Sequence, residues 1–218
     1  MLNMARILFL VSASAGRRLC AAALLGVLSG AVGWGAPGEQ GLAMAARLEG
    51  QRFDDTVVLG DRTLRLNGLG LRGVAWIKAF VAGLYLPAPS REVAQVLAMP
   101  GPKRLRLKVM LEAPSKEFSK AFSRGMRRNE SEKVHMQLAA RMATFVITID
   151  GIGTIRKGDT IDLDFTPGQG MQLKLNNKLV GGPIEGDDFY RALLKIFIGE
   201  KPADPEMKEG LLRGGPSS

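Results

Sequence analysis

The sequence predicts an α+β fold, in which an antiparallel sheet is covered on one face by a layer of helices. Strand-like segments come in consecutive groups instead of alternating one by one with helices, which indicates antiparallel pairing. The helical segments fall into one group in the middle of the chain and another at its end. A hydrophobic content of 46% is sufficient for a sizeable core.

The first 45 residues differ in composition from the rest of the chain. Arg17 and Arg18 precede an uncharged apolar run, Leu19–Trp34, and Ala43–Ala45 forms an A-x-A pattern. These features predict a signal peptide over residues 1–45 and export to the periplasm. The apolar run is about 16 residues long, short of the roughly 20 that span a bilayer, so cleavage is favoured over a retained membrane anchor.

The first predicted strands form a hairpin. Thr56–Leu59 and Thr63–Leu66 flank a turn that contains Gly60. The apolar stretch Leu66–Leu86 follows, and its glycines indicate a bend or a close approach of two backbones. Residues 74–86 predict a central strand that places Trp76 in the core.

The middle of the chain predicts a helix after Ser90, which is a good N-cap, and then an alternating strand, Arg104–Glu112. A helix opens at Ser115, and Asn129 indicates a break and a new N-cap. An apolar stripe continues to about Ile149, so we expect helix there, although the segment TFVITI is β-branched.

The last third of the chain predicts one strand, one hairpin and two helices before a disordered tail. In order these are Thr160–Phe165, the hairpin Met171–Leu175 and Lys178–Val180 around Asn176-Asn177, a helix capped by Asp187, a helix capped by Asp204, and residues 214–218.

The net charge of +9 favours attraction to an anionic partner. The residues Lys103, Arg104, Arg106 and Lys108 alternate with apolar ones, so we expect them on the solvent face of a half-buried strand. Weak contact with an anionic membrane surface remains an alternative. Nucleic acid is not expected as a partner, because no basic groove rich in aromatic residues is present.

The sequence lacks the residues that several kinds of functional site require. Cys20, the single cysteine, lies in the predicted signal peptide, and His135 is the single histidine, so neither a disulfide nor a His-based metal site is expected. No Walker loop, Cys-x-x-Cys or G-x-S-x-G motif is present, and no cofactor is predicted. The sequence does not indicate an oligomeric state.

Arg72 is a cation between two glycines inside the apolar stretch. Desolvating an unpaired charge costs several kcal/mol or more, so Arg72 requires a partner. That partner is either a carboxylate of the chain, such as Asp162, Asp164 or Glu185, or the anion of a ligand.

Four segments together resemble the chalcone isomerase-like superfamily, in its bacterial exported branch, over residues 47–213. They are GLGLRG (Gly68–Gly73), WIKAFVAGLYLP (Trp76–Pro87), KGDTIDLDFTPGQGMQLKLNN (Lys157–Asn177) and IEGDDFYRALLKIFIG (Ile184–Gly199). The resemblance implies a domain at 46–213 with an open-faced β-sandwich and a ligand cleft between sheet and helices.

The resemblance also implies site residues. The arginine that stabilises charge on a chalcone matches Arg72, whereas the threonine, tyrosine and asparagine positions fall at or near Phe80, Phe118 and Gly125. A phenyl ring cannot donate to an oxyanion, and losing such donors costs on the order of 10² in rate apiece. An intramolecular lyase or isomerase is therefore the alternative, and a non-catalytic binding protein is the leading hypothesis.

Its expected ligand is a small amphipathic carboxylate such as a fatty acid, which the superfamily binds in some members. Arg72 would hold the carboxylate through a charge-assisted pair. The other candidate ligand-binding residues are Phe80, Val81, Tyr85, Phe118, Phe122 and Met126.

Overall fold

A computed structural model describes residues 45–74 and 76–215. The predicted signal peptide lies outside these residues, apart from Ala45, which begins the first strand. Residues 216–218 of the predicted tail also lie outside them. Gly215 lies against the domain, where its backbone N–H donates to the Asn67 carbonyl at 2.8 Å.

The described residues contain one seven-stranded antiparallel sheet and two strand pairs. The strands are β1 (Ala45–Leu48), β2 (Gln51–Asp54), β3 (Thr56–Leu59), β4 (Arg62–Val74), β5 (Ile77–Leu86), β6 (Lys103–Val109), β7 (Ala113–Pro114), β8 (Thr154–Ile155), β9 (Thr160–Thr166), β10 (Gly170–Leu175) and β11 (Lys178–Leu179). The large sheet has the order β11-β10-β9-β6-β5-β4-β3, while β1 pairs with β2 and β7 with β8. Both predicted hairpins are confirmed.

Five helices accompany the sheet: α1 (Val93–Ala98), α2 (Ser115–Asn129), α3 (Glu132–Asp150), α4 (Asp187–Ile198) and α5 (Pro205–Leu211). The helix expected up to Ile149 is confirmed, because Phe145 and Ile149 lie one turn apart and are both buried. Three predicted caps were wrong. Helix α1 follows Glu92 and α4 follows Gly186, while Ser131 accepts from the Val134 N–H at the start of α3.

The helices cover one face of the sheet, here called the inner face, which agrees with the predicted α+β class. Its core joins β5, β6, β9 and β10 to α2, α3 and α4. A second, smaller hydrophobic cluster packs on the opposite face of the sheet, around Phe53, Leu64, Leu66 and Tyr85.

A register shift at Asn67 decides which face of β4 points inward. Before the shift, Leu64 and Leu66 face the opposite, outer side of the sheet, and after it Leu69 and Leu71 do so. The buried Asn67 amide bonds the backbone of Ser90 and Leu211. Because side chains alternate along a strand, this extra residue turns Arg72 to the inner face.

The outer face carries buried ion pairs, so the prediction of a solvated basic face on β6 was wrong. Arg104 pairs with Asp164, and Arg106 with Asp162, directly across from each other on β6 and β9. Both carboxylates are only 1% exposed. The hydrogen bonds that Arg106 donates to Asp162 raise the pKa of its guanidinium above the ordinary value.

Lys103 is also buried, on the inner face, because neighbouring residues of a strand point to opposite sides. Its amine donates to the Met99 carbonyl and lies 5.7 Å from the centre of the Phe165 ring.

Trp76 lies in the turn between β4 and β5 and is 87% exposed. The expectation that it belongs to the core was therefore wrong. The apolar pattern of Leu66–Leu86 is interrupted by a turn, because β4 extends to Val74 and β5 begins only at Ile77.

Candidate functional site

An apolar cavity of about 140 Å³ lies between the inner face of the sheet and helices α2, α3 and α4. Its wall is built from aromatic and aliphatic side chains, because the alternate residues of β5, β6 and β9 that face inward are apolar. The wall includes Phe80, Leu107, Phe122, Phe145, Ile161, Leu163, Leu193 and Phe197.

Four of the predicted ligand-binding residues meet at this cavity: Arg72, Phe80, Phe118 and Phe122. Arg72 and Phe80 are opposite each other on β4 and β5. The Phe80 and Phe118 rings lie 6.5 Å apart between centres, so the sheet and α2 meet at this point. Phe122 packs edge-on against Phe145 of α3, with 4.7 Å between ring centres.

The structure does not place the other three candidates in the cavity wall. Val81 and Tyr85 alternate with the inward-facing residues of β5, so they pack in the outer cluster. The Tyr85 hydroxyl donates to the Asp54 carbonyl at 2.9 Å, and burial raises the pKa of that hydroxyl above its ordinary value. Met126 is fully buried in the inner core.

Arg72 lines the cavity and is also paired with a carboxylate. Its Nη1 donates to Asp204 Oδ2 at 2.9 Å, and each of the two side chains is 14% exposed. None of the carboxylates suggested by the sequence, Asp162, Asp164 or Glu185, is this partner. The pair therefore joins β4 to the start of α5.

Asp204 has a second role as the N-cap of α5. Its Oδ1 accepts from the Met207 N–H at 3.1 Å, and Pro205 occupies the first turn, so the predicted cap is confirmed. One carboxylate thus serves two donors, with Oδ1 on the helix and Oδ2 on Arg72.

Glycines set the distance between α5 and β4. A Cβ on Gly68 would lie 2.2 Å from the Gly210 carbonyl oxygen, and one on Gly70 would lie 2.3 Å from that of Met207. A Cβ on Gly210 would likewise lie 2.2 Å from the Leu69 carbonyl oxygen. The predicted close backbone approach is therefore confirmed, and it brings Asp204 within reach of Arg72.

The rest of the polar lining consists of Glu117, Arg124, Arg128 and Lys201. Arg124, Arg128 and Lys201 are exposed, so they lie where the cavity meets solvent. With Arg72 they make four cations, against the two carboxylates of Glu117 and Asp204. This end of the cavity therefore favours an anion.

The position matched to the asparagine of chalcone isomerases has no room for a side chain. A Cβ on Gly125 would lie 2.6 Å from Ile196 Cγ2, because α2 and α4 pack closely there. Phe80 and Phe118 supply carbon rings at the other two matched positions. The wall near Arg72 thus presents no hydroxyl or amide from these three residues.

Sequence reasoning did not connect Asp204, Lys201 or Arg128 with the site. Asp204 is 132 residues from Arg72, and its Asp-Pro sequence indicates only a helix start. Within residues 45–74 and 76–215, no group of three or more His, Cys, Asp or Glu side chains could hold a metal ion. Across the same residues, no helix has the length and apolarity to cross a membrane.

Comparison with known proteins agrees with this architecture. The sequence model of the chalcone isomerase-like family matches residues 45–213. The chain belongs to this family. Among solved structures, this family member resembles a fatty-acid binding protein of Arabidopsis thaliana, with a TM-score of 0.62 and 19% identity over 78% of this chain and 96% of the plant chain. At that identity the likeness concerns the fold. A search of curated proteins finds no match.

Proposed function

We propose that the chain binds one small amphipathic carboxylate, such as a fatty acid, without transforming it. The observation that carries this proposal is the position of Arg72, a guanidinium in the wall of a predominantly apolar cavity. Phe80, Phe118 and Phe122 would contact the hydrocarbon chain. The similar structure from Arabidopsis thaliana is that of a fatty-acid binding protein, which supports the same ligand class.

The size of the cavity favours a chain of medium length. A volume of 140 Å³ corresponds to roughly ten water molecules, at about 10–15 Å³ each. Water gains little in an apolar cavity, whereas burying a methylene group is worth about 0.8 kcal/mol. A saturated chain of about ten to twelve carbon atoms has a comparable size, so dodecanoate is the ligand of choice for a test.

The ligand carboxylate would compete with Asp204 for Arg72. A guanidinium has five N–H donors, so Arg72 can donate to the ligand carboxylate in addition to Asp204 or in its place. Arg124, Arg128 and Lys201 offset the added negative charge at this end of the cavity. Asp204 would then lower the affinity for carboxylates while keeping Arg72 paired in the empty protein.

Ring closure of the chalcone isomerase type is less well supported than binding. It requires donors near the developing oxyanion, and Phe80, Phe118 and Gly125 provide none from their side chains. We expect chalcone to cyclise no faster with the protein than in buffer, as followed by absorbance. Cyclisation that is faster with the protein and lost in Arg72→Ala would instead support the isomerase.

Calorimetric titration tests the binding proposal by comparing dodecanoate with dodecanol, which lacks the charge. Arg72→Ala is expected to weaken dodecanoate binding by roughly 10- to 100-fold, because a hydrogen bond to a charged group is worth about 1.5–3 kcal/mol. Dodecanol binding should change little. Arg72→Lys, which keeps the charge but not the planar donors, should have an intermediate affinity.

Arg62→Ala is the matched control, because Arg62 is exposed at the opposite end of β4. Equal affinity of the wild type and Arg72→Ala for dodecanoate would show that Arg72 does not bind the carboxylate. Thermal unfolding of each variant separates a binding effect from a folding defect.

Export is a further part of the proposal. It rests on the composition of residues 1–45, and the family match that begins at residue 45 agrees with a domain that starts there. We expect the protein recovered from the periplasm to begin at Ala46. Its N-terminal sequence tests this, and an unprocessed chain retained in the cytoplasm would contradict it.

A further inference from the structure

Helix α2 carries a basic face beside the cavity. This face consists of five exposed cations: Lys116, Lys120, Arg124, Arg127 and Arg128. At 3.6 residues per turn, their positions fall within an arc of about 120°. Glu117, which pairs with Lys120 at 2.9 Å, is the one acidic residue of α2.

The same helix presents its apolar residues on another side. Phe118 and Phe122 line the cavity, and Met126 is buried in the inner core. Arg124 and Arg128 belong both to the basic face and to the cavity lining. The basic face therefore continues to the place where the cavity meets solvent.

An exposed indole lies at the tip of the hairpin that β4 and β5 form. Trp76 is 87% exposed in the turn between β4 and β5. The strand pair that ends in this turn carries Arg72 and Phe80, which line the cavity. Phe80 in turn packs on Phe118 of α2. The β4–β5 hairpin and helix α2 thus both contribute to the wall of one cavity.

We infer that Trp76 and the basic face of α2 dock onto a bilayer that contains anionic lipid. Lysine and arginine near such a surface are attracted to its negative potential, and tryptophan concentrates at the boundary between headgroups and hydrocarbon. A single indole at a hairpin tip suits insertion between headgroups better than it suits a groove for nucleic acid. The inference rests on the proposed function, because an apolar ligand could then enter from the membrane.

The test uses residues 45–218, which contain the whole span that the family model matches and lack the apolar run at residues 19–34. Trp76 is then the only tryptophan. The protein should bind at low salt to vesicles of phosphatidylcholine that contain about one third phosphatidylglycerol. Binding should shift the Trp76 emission to shorter wavelength. The protein should dissociate as added salt shortens the Debye length. Vesicles of phosphatidylcholine alone should bind weakly.

The triple variant K116Q/K120Q/R127Q removes three cations that do not line the cavity. Its binding to the anionic vesicles should fall on the order of a hundredfold, since each cation contributes about fivefold. The matched control R52Q/R62Q/R65Q removes the same charge from exposed residues of β2 and β4 and should bind nearly as the parent does. W76S should also weaken binding.

Equal binding by the two triple variants, or an unchanged Trp76 emission on bound vesicles, would overturn the inference. So would binding to duplex DNA with none to anionic vesicles. Titration of dodecanoate without vesicles is run in parallel. Dodecanoate binding without vesicle binding refutes the docking surface alone, whereas vesicle binding without dodecanoate binding refutes the proposed ligand alone.

Discussion

Arg72 and Asp204 form an ion pair at the wall of the cavity, with Nη1 of the arginine 2.9 Å from Oδ2 of the aspartate. The second oxygen of Asp204 caps α5. Arg72 therefore combines the two alternatives that the sequence left open, since its guanidinium has an internal carboxylate and still lines a space for a ligand.

Asp204→Asn should strengthen the binding of dodecanoate. Asparagine caps a helix about as well as aspartate, so α5 should keep its position while the negative charge beside Arg72 is lost. We expect a dissociation constant roughly three- to tenfold lower, with little change for dodecanol, as measured by calorimetry. Asp187→Asn, at the exposed start of α4, is the charge-matched control. Weaker dodecanoate binding by Asp204→Asn would mean that the carboxylate orients Arg72 for the ligand.

Gly70→Ala should destabilise the protein and disturb the site together. The added Cβ would lie 2.3 Å from the Met207 carbonyl oxygen, so α5 must move away from β4. We expect a loss of about 1–3 kcal/mol in the free energy of unfolding, typical of overpacking, measured with urea. Gly182→Ala is the control, since nothing lies within 4 Å of the added Cβ. A loss no larger than that of the control would show that the two backbones separate at little cost.

Asp162→Asn should destabilise the fold without affecting the cavity. The change leaves the Arg106 guanidinium largely buried without its carboxylate, at a cost of about 3 kcal/mol. The double variant R106M/D162L should recover most of the stability, because it removes both charges. Since this pair lies on the outer face, dodecanoate affinity should remain unchanged. A loss below about 1 kcal/mol would mean that the pair contributes no more than an exposed ion pair does.

The ion pairs of the outer face show why the pattern of one β-strand, taken by itself, does not predict which of its side chains are exposed. Residues 103–109 alone have the pattern of a strand with one wet face. The missing information was the neighbouring strand, in which Asp162 and Asp164 have the same spacing as Arg106 and Arg104. Matching the two segments would have predicted the pairs, because opposite residues of antiparallel strands meet on one face.

The cavity side of β4 could be predicted only in part. The apolar stretch, its glycines and the exceptional Arg72 are visible in the sequence, and they indicated a close approach and a buried cation. The face that Arg72 occupies depends on the register shift at Asn67, which strict alternation does not reveal. Its partner Asp204 comes from a helix 132 residues away, so only the tertiary structure identifies the pair.

Lys103 should make the stability of the protein rise with pH in alkaline solution. Burial, and secondly the nearby Arg191, lower the pKa of its amine below the ordinary 10.5. Between the lowered pKa and 10.5 the unfolded chain binds more protons than the folded one, so the free energy of unfolding increases with pH in this range. Lys103→Met, which keeps the apolar stem, should lose this contribution.

The measurement is the difference in unfolding free energy between the wild type and Lys103→Met, obtained from urea titrations at about pH 7 and about pH 10. The free energy of unfolding of the wild type should increase relative to that of the variant as the pH rises. Its folded state then no longer holds a charge among Leu97, Phe165 and Met99. Lys178→Met removes an exposed lysine and serves as the control for the lost charge. A difference that stays constant, or that shrinks toward the alkaline end, would mean that the Lys103 ammonium is stabilised where it lies, through the Met99 carbonyl and the face of the Phe165 ring.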